Sequence, residues 1–551
     1  MRHYRTSAFP YMFFGIVFHA LLMGRVHGQT VEFVSDINPG GDGSPYGFIE
    51  LGGSLLFGAV DADGNELWRT DGTEAGTVQV KDIKPTGSSN PMNFVLYDGK
   101  VYFRADDGTH GNEIWVSDGT ADGTYMVQDI NPGAGAGGFG YPVVYGGLLY
   151  FAADNGAGTE WWNTDGTSTG TGPFTQTAGG SPANPFEHDG LLYFSYSDGV
   201  HGPELWSTDG TSGGTAMVKD INTTTPAGSQ PQQFATYAGL LYFSADDVLH
   251  GRELWVTDGT EVGTQLVKDI APSSGSDPRY FTELAGQLYF FAYGGADGVE
   301  LWRTDGTETG TEQVVDINPN GDSSPLVLTV FNDHLFFSAN DGTHGRELWI
   351  SDGTGAGTEQ LLELNPTGNA MTGFFEFSFQ PKIYAGKLYF VASDGTNGWE
   401  LWRTDGTPTG TTRVEPVGAN GNSPLDLTAD FALFNGSAYF GARFDATGKE
   451  LWRVSDSNVG VEEPASTEVG PVISPNPAMD MVRVRHALPT AGRVRLSVSD
   501  ATGREVLVLL DDQRAAGPIE LSFDTRALPA GYYTVRLQTA RGPFTTSLIH
   551  P

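Results

Sequence analysis

The chain of 551 residues carries 67 Asp and Glu against 30 Lys and Arg, a formal net charge of -37, with 39% apolar residues and no cysteine. Its length exceeds one domain, and that apolar content suffices for a large core. The missing cysteine excludes a disulfide framework, a thiolate metal site and a Cys nucleophile, while the acidity excludes nucleic acid and anionic lipid as fitting partners.

Residues 1–28 read as a signal peptide. Arg2 and Arg5 precede an apolar run over 8–23, and Val26-His27-Gly28 stands before a cleavage point at Gln29. That run is short for a bilayer span and no other stretch is long enough, so the expected mature chain is exported and has no membrane span. Residues 1–28 carry +3 and residues 471–551 carry +2, which leaves -42 of the -37 total on 29–470.

From residue 31 to 460 the chain repeats itself. Glu-Leu-Trp or a close variant recurs with its tryptophan at Trp68, Trp115, Trp162, Trp206, Trp255, Trp302, Trp349, Trp402 and Trp452, at intervals of 44 to 53 residues. Such a period marks a solenoid or propeller, and tryptophans at one repeat position are core residues first. The second copy shows the unit: strand a over 94–97, the hairpin signal Asp98-Gly99, strand b over 101–105, strand c over 113–116 and strand d over 125–130. Four antiparallel strands in this length is the size of a propeller blade. Strand b repeats consecutive large apolar residues, such as Tyr102-Phe103 and Tyr242-Phe243. Neighbours on a strand point to opposite faces, so both faces must be covered, as in blades stacked side by side.

The ends of the array predict closure. Residues 31–37 match strand d but follow no a, b or c strand, whereas 431–454 supply a, b and c with no clear d after them. The orphan strand completes the orphan blade and removes both sheet edges. The expected fold is therefore all-β: a β-propeller of about nine four-stranded blades over 29–460, closed by an N-terminal strand. A linker follows at 461–471. Residues 472–551 then form a small β domain with the opposite charge sign.

Two resemblances follow. The array resembles the bacterial ELWxxDGT repeat, carried as Glu66-Leu67-Trp68 with Asp71-Gly72-Thr73 and eight further copies, although the third reads Glu160-Trp161-Trp162 and the ninth lacks Asp-Gly-Thr. This likeness implies architecture, not chemistry. Residues 472–551 resemble the type A sorting domain of the type IX secretion system through Ser474-Pro475-Asn476-Pro477-Ala478, Asp500-Ala501-Thr502-Gly503-Arg504 and Leu528-Pro529-Ala530-Gly531-Tyr532-Tyr533. That resemblance implies an Ig-like β-sandwich, handling by the type IX secretion machinery, delivery to the outer cell surface or the medium, and a source in the Bacteroidota or a neighbouring phylum.

The chemistry is weighed residue by residue. The Asp-Gly-Thr turn is a hairpin in which Asp accepts local N–H groups and Gly supplies positive φ, similar to the Asp-box hairpins of sialidase-type propellers. The b–c turns gather Asp61 with Asp63, Asp106 with Asp107, and Asp246 with Asp247. Clustered carboxylates suit Ca²⁺, and a solvated turn is the other reading, since no copy completes an EF-hand. His110, His201, His250 and His344 share that turn in separate copies, which the repeat explains better than zinc does. No paired glycosidase carboxylates, nucleophile elbow, P-loop or His-Glu-x-x-His stands out, so no catalytic residue is assigned. The longest d–a segment holds Phe374, Phe375, Phe377 and Phe379, expected to bind a glycan or protein ligand. An exported binding or adhesion module is the first reading. A propeller-fold glycan hydrolase or lyase and a structural surface-layer or matrix component are the alternatives.

Overall fold

A computed structural model describes residues 29–456 except 175–179, 181, 225–226, 273, 372–380, 415–430 and 445–446. Beyond these it describes 472–474, 481–488, 492–500, 504–514, 517–526, 528, 531–539 and 542–550. The expected signal peptide and linker, and Phe374, Phe375, Phe377 and Phe379, lie outside the described residues. Every regular element described is a strand, with no helix among them. Residues up to Asn458 form one compact unit and those from Val459 another.

The first unit holds nine four-stranded antiparallel sheets among the described residues, numbered here 1 to 9 in chain order. The second sheet is typical, with strand a at Met92–Tyr97, b at Lys100–Asp106, c at Asn112–Ser117 and d at Tyr125–Gln128. β-branched and aromatic residues fill the strands, and two-residue turns join a to b in all nine sheets. The ninth sheet takes its outer strand from the other end of the unit. Gln29–Ser35 pairs antiparallel with Glu450–Asp456, with Val31 opposite Val454 and Phe33 opposite Trp452. Residues 455 and 456 therefore extend strand c beyond its expected end at 454.

The cores lie between sheets. Tyr102 packs toward sheet 3 with Phe151 and Trp162, while Phe103 packs back toward sheet 1 with Leu56, Leu67 and Trp115. Tyr242 and Phe243 divide in the same way between sheets 6 and 4. One apolar cluster joins each consecutive pair of sheets from 1–2 through 8–9, and a further one joins sheet 9 to sheet 1 through Tyr439, Leu451, Val34 and Phe57. The interfaces thus run in a cycle. Trp115, Trp162, Trp255, Trp302, Trp349 and Trp452 are buried in these seams.

The second unit has a three-stranded sheet around Met481–Leu488 and a four-stranded sheet around Gly492–Asp500. Val482, Val484, Phe523, Val494, Val498 and Val535 from both sheets share one core.

Candidate functional site

The two ends of the sheets differ in construction. At one end lie the a–b turns and the c–d turns, the latter seven residues long in seven of eight sheets and six in the other. At the opposite end lie the b–c turns and the d–a connections, which hold ten or eleven residues where every residue is described. Backbone bonds tie these last two together, as in Asp106 N to Ser89 O at 2.9 Å and Asp246 N to Ser229 O at 2.9 Å.

The c–d turn explains its own sequence. Asp71 Oδ1 accepts the Thr73 N–H at 2.9 Å and hydroxyl at 2.7 Å, Thr73 Oγ1 accepts Gly76 N–H at 3.0 Å, and Thr70 and Thr77 hydroxyls pair at 2.8 Å. The Thr hydroxyl holds the Asp71 carboxyl below its usual range, and so it does at Asp118, Asp165, Asp209, Asp258, Asp305 and Asp352. At Asp405 the Thr407 hydroxyl, helped by Lys387, brings it to about 2. The glycine is required twice over. Gly72 has φ +92, and a Cβ there would lie 2.4 Å from the Tyr439 hydroxyl of the preceding sheet. Gly166 and Gly306 meet Tyr102 and Tyr242 equivalently. The arginine after the repeat tryptophan spans the same seam: Arg69 Nη1 donates to Gly119 O, Arg303 to Gly353 O and Arg453 to Gly72 O, at 3.1, 3.3 and 3.1 Å. These arginines serve packing between sheets.

The repeat glutamate organises the opposite end. Glu66 is fully buried and accepts the N–H groups of Ile83, Lys84 and Ser89 and the Ser89 hydroxyl at 2.7 Å, so its carboxylate folds the d–a connection. Glu450 does this across the closing seam, accepting Ile37 N at 2.7 Å and Gly43 N at 2.8 Å. Burial pushes Glu300, Glu347 and Glu450 up to about 7, against the downward pull of those N–H donors.

The aspartates considered for Ca²⁺ are engaged within their own turns. Asp61 Oδ1 accepts Asp63 N at 2.9 Å and Gly64 N at 3.1 Å. Asp106 Oδ1 accepts Gly108 N at 2.7 Å while its Oδ2 pairs with Lys84 at 2.6 Å. Asp107 accepts Thr109 and His110 N–H groups through Oδ1 and holds His110 Nδ1 at 2.7 Å through Oδ2. Asp246 Oδ1 accepts Val248 N at 2.7 Å, and Asp247 holds His250 in the Asp107 manner. Hydrogen bonds donated to the paired Asp raise His110, His201, His250 and His344 above the usual imidazole range. Among the described residues no three His, Asp or Glu converge as a metal site requires.

Two departures from the repeat escape a reading built on its consensus. At the end of strand a, Tyr97, Tyr145, Tyr237 and Tyr384 donate to the carbonyls of Gly147, Gly190, Gly286 and Gly436 on the next sheet and seal the seam. Sheet 4 has His188 there, bound to Thr236 Oγ1 at 2.9 Å, and an open groove of about 500 Å³ lined by Glu187, His188, Asp189, Thr236 and Gly239. The second departure is Val248, which occupies φ +70 where four sister turns place glycine. Aligning the copies and reading what differs is the signal that finds both.

With this geometry in hand, comparison with known proteins places the chain among exported proteins. Residues 472–550 match the secretion system C-terminal sorting domain family. That domain marks proteins exported through type IX secretion, so the chain is secreted or held on the outer cell surface. No curated protein matches. Among solved structures, the computationally designed Ika8 protein is 16% identical, with 68% of this chain and 99% of that one covered and a TM-score of 0.38. PorZ, an essential bacterial surface component of the type-IX secretion system of Porphyromonas gingivalis, is 13% identical, with 92% and 75% covered and a TM-score of 0.33. A structure from an analysis of two prolyl endopeptidases is 12% identical, with 67% of this chain and 55% of that one covered and a TM-score of 0.36. At these scores the likenesses carry no functional argument. No helix among the described residues is long and apolar enough to cross a membrane.

Proposed function

We propose that the chain is an exported binding module: a nine-bladed β-propeller of ELWxxDGT-type repeats whose d–a and b–c end engages an extracellular glycan or protein, followed by an Ig-like sorting sandwich. The cycle of interfaces from sheet 1 to sheet 9 and back favours the ring. One observation carries the binding reading. The a–b and c–d turns are nearly uniform in length and engage their polar groups internally, whereas the interval between repeat tryptophans varies from 44 to 53 residues, so most of the variation falls outside those turns. Variable loops on a rigid frame are where recognition concentrates. Phe374, Phe375, Phe377 and Phe379, in sequence between a strand d and the next strand a, are the residues this reading expects to meet the ligand. The b–c carboxylates enter this reading as turn formers. Binding of residues 29–460 to a glycan array and to extracellular proteins, beside a screen for hydrolase and lyase activity, tests the proposal. Turnover of a glycan would replace it with the enzymatic alternative, and inertness in both assays with a structural surface component.

A further inference from the structure

The b–c turn exists in five closely equivalent copies, each opening with Asp, Ser or Asn followed by Asp. In four of them the third residue is glycine: Gly108, Gly199, Gly342 and Gly395, at φ between +77 and +82. The first residue accepts its N–H in each, as Asp106 does from Gly108 at 2.7 Å and Asn340 from Gly342 at 2.8 Å. In sheet 5 the same bond runs from Val248 to Asp246 at 2.7 Å, and His250 keeps its bonds to Asp247, so the turn is retained with a different side chain. A β-branched residue in the left-handed region is a genuine outlier, retained where surroundings or function demand it. The next position is Thr109, Thr343 and Thr396 in three copies, but Val200 in sheet 4 and Leu249 in sheet 5. Val200, Val248 and Leu249 are 66%, 52% and 82% exposed. Two consecutive sheets therefore present aliphatic side chains where their sisters present glycine and threonine. Isolated exposed apolar residues need no explanation, but equivalent turns on two consecutive sheets that both depart toward aliphatic residues do.

We infer that Val200, Val248 and Leu249 form a docking surface for a polypeptide that presents an apolar side chain bracketed by Lys or Arg; this rests on the loop-end binding reading and names its partner. The chemistry selects the occupant. Sugar rings stack on flat aromatic faces, and these side chains are aliphatic. Asp198, Asp246 and Asp247 border them, Asp198 and Asp247 paired with His201 and His250, on a chain whose net charge of -37 attracts a basic rim and repels anionic lipid. An apolar centre with a complementary charged rim is the ordinary anatomy of a protein interface.

Reversion to the sister residues provides the test. The full chain, a V248G/L249T variant and a V200T variant are compared, with V262T as control, since Val262 is 83% exposed but stands on a c–d turn at the opposite end. A phage-displayed library of short random peptides is selected on the full chain, and the selected peptides are synthesised and measured on every variant. The expected peptides combine an apolar residue with Lys or Arg and bind V248G/L249T about tenfold more weakly or worse. They weaken as NaCl rises and ignore V262T. V248G/L249T melts no lower than the parent, so lost binding is not lost folding. Peptides that bind the reverted and parent chains equally, acidic peptides, or no selected peptide at all would overturn this surface. Reversion-sensitive binding of phosphatidylcholine vesicles, or reversion-sensitive self-association in sedimentation, would overturn it in favour of a lipid or a second copy. None of these outcomes touches the wider loop-end reading, which falls only on the glycan, protein and hydrolase assays.

Discussion

The two ends of the nine sheets are written by the same repeat, yet they behave oppositely. At the turn end each conserved-looking feature has a local partner: Asp71 its threonine, Gly72 the Tyr439 hydroxyl of the preceding sheet, Arg69 the Gly119 carbonyl of the next. At the loop end one constant group, the buried glutamate, anchors connections that otherwise change in character. The difference teaches that a repeat can fix a frame at one end while leaving the other free to diverge. Departures such as Val248 then gain meaning because their sisters supply the reference.

The contrast presupposes one continuous series of seams, and the strongest way to break it is to delete residues 29–35. That strand carries Phe33, edge-on to Trp452 at 5.2 Å, and Glu32, paired with Arg453. Its loss leaves strand c of sheet 9 as an unpaired edge, and the thermal midpoint is expected to fall further than for any single substitution. An unchanged midpoint would remove closure from the account. Next in size, Trp255→Ala is expected to cost about 3–5 kcal/mol in denaturant unfolding, as large-to-small core changes do. Full stability combined with lost ligand binding would instead make the tryptophans a binding ladder.

The turn end is sharpened by a pair of glycines. Gly306 and Gly286 have φ +93 and +76, but a Cβ on Gly306 meets the Tyr242 hydroxyl at 2.5 Å while Gly286 has open space. Gly306→Ala should therefore cost more than Gly286→Ala, the latter about 1 kcal/mol for conformation alone. Equal losses would mean that the tyrosine contact does not constrain the turn.

Acidity separates the ends differently. The loop-end glutamates Glu300, Glu347 and Glu450 have folded values near 7 against an ordinary 4.5. The folded state thus binds protons that the unfolded chain releases. This contribution is complete below about pH 4.5 and is lost as pH rises through about 7. The raised histidines act in the same direction. The turn-end aspartates oppose it: Asp405, held near 2 against 3.8, stabilises above pH 3.8 and ceases to as pH falls through about 2. The thermal midpoint should rise from pH 8 to pH 5 and collapse below pH 3. A midpoint that climbs steadily toward pH 8 would contradict the buried carboxyls. The smallest effect concerns cations. If the b–c aspartates are turn formers, CaCl₂ and NaCl of matched ionic strength shift the midpoint equally through screening. A rise confined to Ca²⁺, and reduced in an Asp106→Ala, Asp107→Ala variant, would restore the calcium reading.

Much of the frame was legible because it is local. Strands b and c of the second copy fall within one or two residues of their expected limits, since alternation and turn residues define them. Pairing of the first strand with the last sheet followed from counting strands. The positive φ of Asn93, Tyr141, Gln233 and Val327 near the start of strand a was not legible. Glycine marks this bulge in sheet 1, at Gly47, but not in these four copies, and Asn93 Nδ2 donates to Phe139 O on the next sheet, a partner that only folding brings near. His188 and Val248 stayed hidden for another reason: a consensus averages away the copies that disagree with it.

The outer strand of sheet 9 also sets an order of events. Most seams join neighbours about one repeat apart, so assembly can spread from sheet to sheet like a one-dimensional array. The bond between Thr30 and Ser455 spans 425 residues. Until residue 456 exists, the first strand made has nothing to pair with. Contacts of such long separation form slowly because the intervening chain must first be ordered. Closure is then the terminal step of folding, and a half-synthesised array remains open at both edges, exposed to mispairing with any other strand it meets.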